Sequence, residues 1–484
     1  MSRTSRPKWA LLSGMRRKPS DAILNDCDSS SDQVVSPDES GQIEDVGKPR
    51  AIVLSSFAIH PHMTSEPGVG WRFLIATAKV ARQHGAVVVV VTSRRSAEAT
   101  TGEVAHLALS EVVRIVGVRL PWEPAFFRWD DPRFTRLEHV WWSLVARKPM
   151  RSLEKKYNIV YAHHVTFATE LLPTPITTYG RGVLRVWGPV GAGGVAAVFT
   201  LPPRGFAEQK LWFLQLVRDR VVRVPARLIA RRVDLILAQN DSLILHLGTA
   251  GNKKLRVFPN VVVPSDLLQN SSCEIDDRLC VGMEEGAPQI LAVGHFIPLK
   301  RFAVAIRALT HPSLRNARLH LVGSAIKGRP NYLKTYAESM GVADRVTFHG
   351  TMKRTDVLRL MGSANVLFHP SGREGASGVV GEATSVGLPV VCFAGTGAAS
   401  VLQESGSSGV VVNAANCDKD GDTIAAALLD AAALPHVRCA LWSEERLSRL
   451  SEELFALGLK RGLASQTPSS SSQPPDGDAD FVTT

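Results

Sequence analysis

The stretch ANVLFHPSGREGASGVVGEATSVGLPVVCF (364–393) reads in succession as strand, glycine-rich loop, helix and strand. An apolar run ends at Pro370, the loop spans Ser371–Gly378, and a helix opens near Gly378. Gly387, Leu388 and Pro389 close that helix, because glycine accepts the left-handed conformation that ends helices and proline cannot continue one. Val390 and Val391 then start a β-branched strand. Two strands joined through a helix form a parallel pair, the unit of a doubly wound sheet. The loop also carries chemistry: exposed amides of a glycine-rich turn at a helix N-terminus converge on an anion. Glu374 stands in that turn. Glu382 lies about one helical turn further in and can face the same crevice.

Working outward, QILAVG (289–294), ARLHLVG (317–323), RVTFHG (345–350) and GVVVN (409–413) are further strands with amphipathic stretches between them. Upstream the pattern recurs in AIVLSSF (51–57), AVVVVVT (86–92), VVRIVGV (112–118) and IVYAHH (159–164). LRVWGPV (184–190), LILAQN (235–240) and LRVFPNV (255–261) continue it. A helix is expected from Trp71 to His84, closed by Gly85. The fold expected is α/β, with two doubly wound Rossmann-like domains facing a central cleft and C-terminal closing helices.

The boundaries follow composition. Residues 1–20 hold six Lys or Arg and no acid, whereas residues 21–46 hold eight Asp or Glu. That segregated, weakly apolar stretch reads as a disordered head, 1–48. The N-terminal domain is expected at 49–265, a polar linker at 266–287, the C-terminal domain at 288–435 and closing helices at 436–465. Residues 466–484, serine- and proline-rich, read as a disordered tail.

The chain has 484 residues, 45% hydrophobic and 21% charged, enough to bury a large core. No apolar run approaches the ~20 residues of a membrane span. Near the start only Trp9–Leu12 is apolar, too short for a secretory signal, so a cytoplasmic place is expected. Cysteines 27, 273, 280, 392, 417 and 439 show no paired metal spacing. The formal charge of +11 invites an anionic partner. No aromatic-studded nucleic-acid motif accompanies it, which leaves an anionic substrate or membrane surface.

Segment 369–391 resembles the donor signature of glycosyltransferase family 4. There two glutamates separated by seven residues precede Ala, Gly-x-Pro and a β-branched strand. The matching positions are Glu374, Glu382, Ala383, Gly387, Pro389, Val390 and Val391. A second match is LAVGHFIPLKR (291–301), where family members carry an Arg after the Gly and a Lys five residues on, together clamping the donor diphosphate. Lys300 fits the lysine. His295 stands where the arginine belongs, with Arg301 as the neighbouring cation that could compensate. SEPGVGWRF (65–73), HHVTF (163–167) and VWGPVGAGG (186–194) extend the resemblance over roughly residues 50–435.

The resemblance implies a retaining enzyme acting on a nucleotide-diphosphate sugar, a co-substrate, with no cofactor. Lys300 and the amides of Gly375, Ala376, Ser377 and Gly378 are assigned to the diphosphate, with His295 and Arg301 beside them. Glu382 takes the ribose and Glu374 the hydroxyls of the transferred sugar. Gly68 and Gly70, in a loop opening a helix, face the acceptor with His163 and His164, His164 being the preferred catalytic histidine. Asp-x-Asp pairs, the mark of metal-dependent transferases, occur at Asp26/Asp28, Asp418/Asp420, Asp476/Asp478 and Asp478/Asp480, in expected loops or ends. No metal is expected.

The acceptor is expected to be a glycan or a lipid-linked molecule of surface polysaccharide or glycolipid assembly. Residues 204–232 interleave Arg with Leu, Val, Trp and Phe, and WEPAFFRWDDPRF (122–134) and VWWSLVARK (140–148) add aromatics and cations. Such segments suit an anionic membrane surface, the inner face of the plasma membrane. Pro225 is expected to break any single long helix there. An oxidoreductase would need a third glycine where Phe73 stands and an acid where Thr92 ends its strand. The alternative reading is a catalytically weak or inactive nucleotide-sugar-binding or scaffold relative, suggested by His295.

Overall fold

The computed structural model describes residues 47–63, 66–120, 132–191, 194–195, 206–270, 286–325, 331–413 and 421–466. The expected head to residue 46, the tail from 467 and part of the 266–287 linker lie outside the described residues, as do residues 121–131 and 414–420. The linker's opening is a short helix, Ser265–Asn270. From Lys48 onward the chain forms one unit.

In chain order the first strands are β1 (Arg50–Ser56), β2 (Val87–Ser93), β3 (Val113–Val118), β4 (Asn158–Thr166) and β5 (Leu184–Val190). The two-residue β6 (Gly194–Val195) is followed by β7 (Leu235–Ala238) and β8 (Leu255–Val257). Seven of these make one sheet of order β3-β2-β1-β4-β5-β7-β8, every pair parallel. The second half supplies β9 (Gln289–Val293), β10 (Arg318–Val322), β11 (Val346–Gly350) and β12 (Val366–His369). It continues with β13 (Arg373–Glu374), β14 (Val390–Phe393) and β15 (Gly409–Val412). Its parallel sheet runs β11-β10-β9-β12-β14-β15.

Strand order reverses beside β1 in the first sheet and beside β9 in the second. Chain crossovers leave in opposite directions there, opening a crevice at the strand C-termini where ligands of doubly wound folds bind. Both sheets are covered on two faces. Ala51 and Val53 enter one core and Ile52 and Leu54 the other, and Ile290 and Leu291 divide likewise. This explains the unbroken apolar runs, since a strand buried on both sides has no polar face to alternate.

Four details differ from the sequence-based expectation. The first helix starts at Glu66, not Trp71, and runs to Gln83. Pro225 sits inside one helix, Phe206–Arg232, rather than ending it. The buried side chains Val222, Ala226, Ile229 and Ala230 on either side of Pro225 anchor that helix to the core, which offsets the lost backbone bond. β8 stops at Val257, because Pro259 has no amide to extend the ladder. Instead of several closing helices there is one, Glu445–Gln466. It returns to the first sheet, where Leu447, Leu450, Leu454 and Phe455 join the core of the N-terminal half.

The crossing back is tightly bonded. Trp442 donates its indole N–H to Thr384 Oγ1 (3.0 Å), and its carbonyl accepts from Val263 N (2.8 Å). Arg446 stacks 3.9 Å over the Phe258 ring while donating to the Pro259 carbonyl and to Glu404.

Candidate active site

At the reversal point of the second sheet, two loops meet. The chain leaving β9 passes Gly294 (φ +147°) and a 3-10 turn, Pro298–Lys300, then takes Arg301 into the left-handed region (φ 55°, ψ 32°). That conformation costs a non-glycine residue about 1 kcal/mol, and it turns the chain into the helix Phe302–Ala308 while leaving Lys300 pointing to the neighbouring loop. Lys300 Nζ meets both oxygens of Glu374, at 2.8 and 3.0 Å. Ser371 Oγ donates to Glu374 Oε2 (2.9 Å), and Gly372 N donates to the Leu299 carbonyl (3.1 Å).

Glu374 is mostly buried. Burial by itself raises a carboxyl pKa, but His369, whose Nε2 lies 3.9 Å away, and the Lys300 ammonium reverse this and hold Glu374 down to about 2. His369 is itself lowered by burial and stays neutral at pH 7, so Lys300 is the cation of the group. An ionised carboxylate and an ammonium thus stand side by side at the mouth of a helix.

That helix, Gly378–Val386, begins at Ser377, whose hydroxyl accepts from Val380 N (3.4 Å), and ends at Gly387 in the left-handed conformation (φ +89°). Its positive end adds to the field of Lys300. The glycines of the loop are not equivalent. A Cβ on Gly375 would fall 2.2 Å from Gln239 Oε1, and one on Gly381 would fall 2.2 Å from Val261 Cγ1. A Cβ on Gly378 would meet nothing within 4 Å. Gly375 and Gly381 are required by packing, whereas Gly378 borders open space.

Glu382 is 9% exposed and accepts from Arg354 Nε (2.5 Å). Arg354 also donates to the Val262 carbonyl (3.4 Å), as Arg72 does (3.5 Å). The sequence does not single out Arg354, because it lies 28 residues along the chain from the glutamate it serves. His295 is exposed on the loop after β9, one residue past Gly294. Arg301 is half-buried; the direct partner of Glu374 is Lys300.

The N-terminal half reaches into this loop. β6 and β13 pair antiparallel, Gly194 opposite Glu374 and Val195 opposite Arg373. Asn240 Nδ2 donates to the carbonyls of Gly375 (2.6 Å) and Glu374 (3.4 Å). Gln239 Nε2 holds the Pro189 carbonyl (3.3 Å). Two-residue strands give no periodic signal, so this bridge was invisible in the sequence.

At the reversal point of the first sheet lie the two histidines. His163 Nε2 donates to the Gly188 carbonyl (2.6 Å), and burial pushes its pKa down to about 4. His164 Nδ1 bonds Ser55 Oγ (2.9 Å), and burial, with His139 and His163 nearby, holds it well below its ordinary value. Both rings are only 1% exposed. They are neutral wall groups, with His139 stacked into the same aromatic cluster 5.6 Å from His164. Gly68 and Gly70 lie inside the first helix and not in an open loop. Their missing side chains make room for the Met63 carbonyl and for Ser56, Ala58 and Thr166, so this chain's own packing accounts for both. Next to them Glu66 accepts from Phe167 N (3.1 Å), and burial raises its pKa.

Among the described residues no cluster of three or more His, Cys, Asp or Glu could hold a metal ion.

Residues 280–438, which hold Lys300, Glu374 and Glu382, match the family model described as glycosyl transferases group 1. The chain is 29% identical over 208 residues to a D-inositol 3-phosphate glycosyltransferase of Acidothermus cellulolyticus, covering 39% of this chain and 46% of that one. It is 34% identical over 133 residues to the lipopolysaccharide glucosyltransferase WaaG of Escherichia coli, covering 27% and 34%. These matches span less than half the length of either relative. A sucrose-phosphate synthase from Thermosynechococcus elongatus shares the fold, with a TM-score of 0.51 at 16% identity over 86% of this chain and 98% of that one. The architecture is that of two Rossmann-like halves with a C-terminal helix.

Proposed function

We propose that this chain is a retaining, metal-independent glycosyltransferase of family 4. In this reading it moves a sugar from a nucleotide-diphosphate sugar to a glycan or lipid-linked acceptor in surface polysaccharide or glycolipid assembly. The observation that carries the reading is the Lys300–Glu374 pair, set at the reversal point of the second sheet beside the N-terminus of the helix that bears Glu382. The group 1 match over the same segment supports it.

In the reaction the bond between the anomeric carbon and the diphosphate oxygen breaks, and a bond to an acceptor hydroxyl forms on the same face. The diphosphate gains negative charge as it leaves, so fixed cations and helix amides aimed at it lower the barrier without reorganising. Lys300 and the amides at Ala376–Gly378 fill that role, with His295 and Arg301 at the rim. The departing phosphate accepts the acceptor's proton. Glu374, ionised at any physiological pH, orients the hydroxyls of the transferred sugar. Glu382, held by Arg354, takes the ribose hydroxyls. Contacts from Asn240 and β6 close the loop and keep water out, which suppresses hydrolysis.

A calorimetric and thermal-shift screen of UDP-, GDP- and ADP-sugars on the wild type and Glu382→Ala tests this. Binding of one donor, lost in the variant, is expected. No binding by any donor would overturn the reading. The alternative, a non-catalytic nucleotide-sugar-binding protein, is favoured by one observation, His295 in place of the clamp arginine. Donor turnover separates the two.

A further inference from the structure

The helix Phe206–Arg232 is apolar on two opposite sides. Val222, Ala226, Ile229 and Ala230 are buried against the first sheet. On the outward side Val217, Val221, Val224 and Leu228 are exposed, up to 63% at Val224. Their spacing of four, three and four residues places them in one stripe along the helix. Arg220, Arg223, Arg227 and Arg231 are exposed and run in a parallel row along one side of the stripe. A surface helix of a protein surrounded only by water carries polar residues at these outward positions.

A second helix repeats the arrangement. Along Pro132–Val145, His139, Trp142 and Ser143 are buried, while Leu137, Trp141 and Leu144 are exposed at spacings of four and three, Trp141 to 59%. Trp142 shares one core cluster with Ala226, Ile229 and Ala230, so both helices lie over the same face of the first sheet. Ile244 and Leu245, on a helix packed against Phe206–Arg232, add two further exposed apolar side chains. Single exposed leucines are ordinary; aligned rows on two helices over one sheet face mark a docking surface.

We propose that this face docks on an anionic lipid bilayer. Charge chooses the occupant. From Phe206 to Arg232 there are seven Lys or Arg and two Asp or Glu. A second copy of the chain would bring these cations together, whereas lipid phosphates neutralise them. Aliphatic residues with a flanking tryptophan and arginines suit the interface, where the apolar parts enter and the cations stay at headgroup level. Among the described residues no helix is long and apolar enough to cross a membrane. The proposal is independent of the transferase reading, because vesicle binding is measured without any sugar donor.

The test is cosedimentation of the full chain with vesicles of phosphatidylcholine alone or mixed with phosphatidylglycerol, at low and high salt. The wild type should pellet with the mixed vesicles and be released by salt. Arg223→Ala/Arg227→Ala should bind roughly thirtyfold more weakly, since each of the two surface cations contributes on the order of 1 kcal/mol at an anionic leaflet. Val221→Glu/Leu228→Glu should not pellet at all. The substituted side chains are exposed, so an unchanged melting temperature confirms the fold. Light scattering on the same samples reports self-association. The proposal is overturned if the wild type stays in solution, if the glutamate variant binds as the wild type does, or if the stripe instead supports a dimer that this variant dissolves.

Discussion

Asn240, two residues past β7 in the N-terminal half, donates its side-chain amide to the carbonyl of Gly375, 2.6 Å away in the C-terminal half. Gly375 follows Glu374 directly. The backbone that aims the Glu374 carboxylate is therefore held by a residue 135 positions earlier in the chain. Asn240 is itself fixed, because its Oδ1 accepts from Ser242 N (3.0 Å).

Replacing Asn240 with Ala removes its bonds to the Gly375 and Glu374 carbonyls and from Ser242 N, each worth about 1 kcal/mol, so the fold should persist with a lowered melting temperature. Donor turnover should fall roughly tenfold or more, since misplacing a group near the reacting centre is costly. The fraction of donor lost to hydrolysis should rise as closure weakens. Product analysis and a melting curve on one preparation check this. A variant that loses stability and turnover in proportion would show that Asn240 is merely structural.

Lys300 and Glu374 should behave as a coupled pair. Lys300→Ala leaves a mostly buried carboxylate without its cation, and Glu374→Gln leaves a mostly buried ammonium without its anion. Either change should lower turnover by about 10²–10³, the range for losing one oriented charge in a transition state. The double variant should cost far less than the product of the two, as expected for contacting residues. Independent, multiplicative losses would refute the pairing.

Two glycines should separate packing from binding: Gly378 at the end of the Glu374 loop, and Gly397, which opens the helix Gly397–Ser405 against that loop. Gly397→Ala puts a methyl group 1.9 Å from the Gly375 carbonyl, a backbone atom with nowhere to go. It should destabilise the protein by about 1–3 kcal/mol and disturb the Glu374 loop. Gly378→Ala meets nothing within 4 Å, so stability should hold while donor affinity drops. Thermal melts and donor titrations of both variants distinguish the cases. Unchanged donor affinity in Gly378→Ala would place the phosphates elsewhere.

Acid should destabilise the fold in two ranges. His163 and His139 have an ordinary pKa of 6.5, and burial lowers them to about 4 and about 3. Below pH 6.5 the unfolded chain takes up protons that these buried rings refuse, so stability declines as pH falls from 6.5 towards 4. Glu374 acts lower. Its stabilising contribution is complete above its ordinary value of 4.5 and is lost as pH falls through about 2. Melting temperatures from pH 8 to pH 4 should show the first decline. His139→Phe, which removes one such group, should flatten it; an unaltered slope would contradict the assignment.

The sequence alone was enough for the parts built from neighbouring residues. Strand–loop–helix–strand order, the helix ends near Gly378 and at Gly387 and the parallel character of both sheets follow from local periodicity and turn chemistry, whereas the reading of Glu374, Glu382 and Lys300 as one site came from the family resemblance. Tertiary structure alone decided which glycines serve packing and which border open space. It also buried His163 and His164 as neutral wall groups, carried the helix through Pro225, and brought Arg354 to Glu382 and Asn240 to Gly375. The reason is distance along the chain. A helix cap or a buried strand is set by residues within a few positions, whereas a hydrogen bond across 28 or 135 residues depends on how separate helices and sheets pack together.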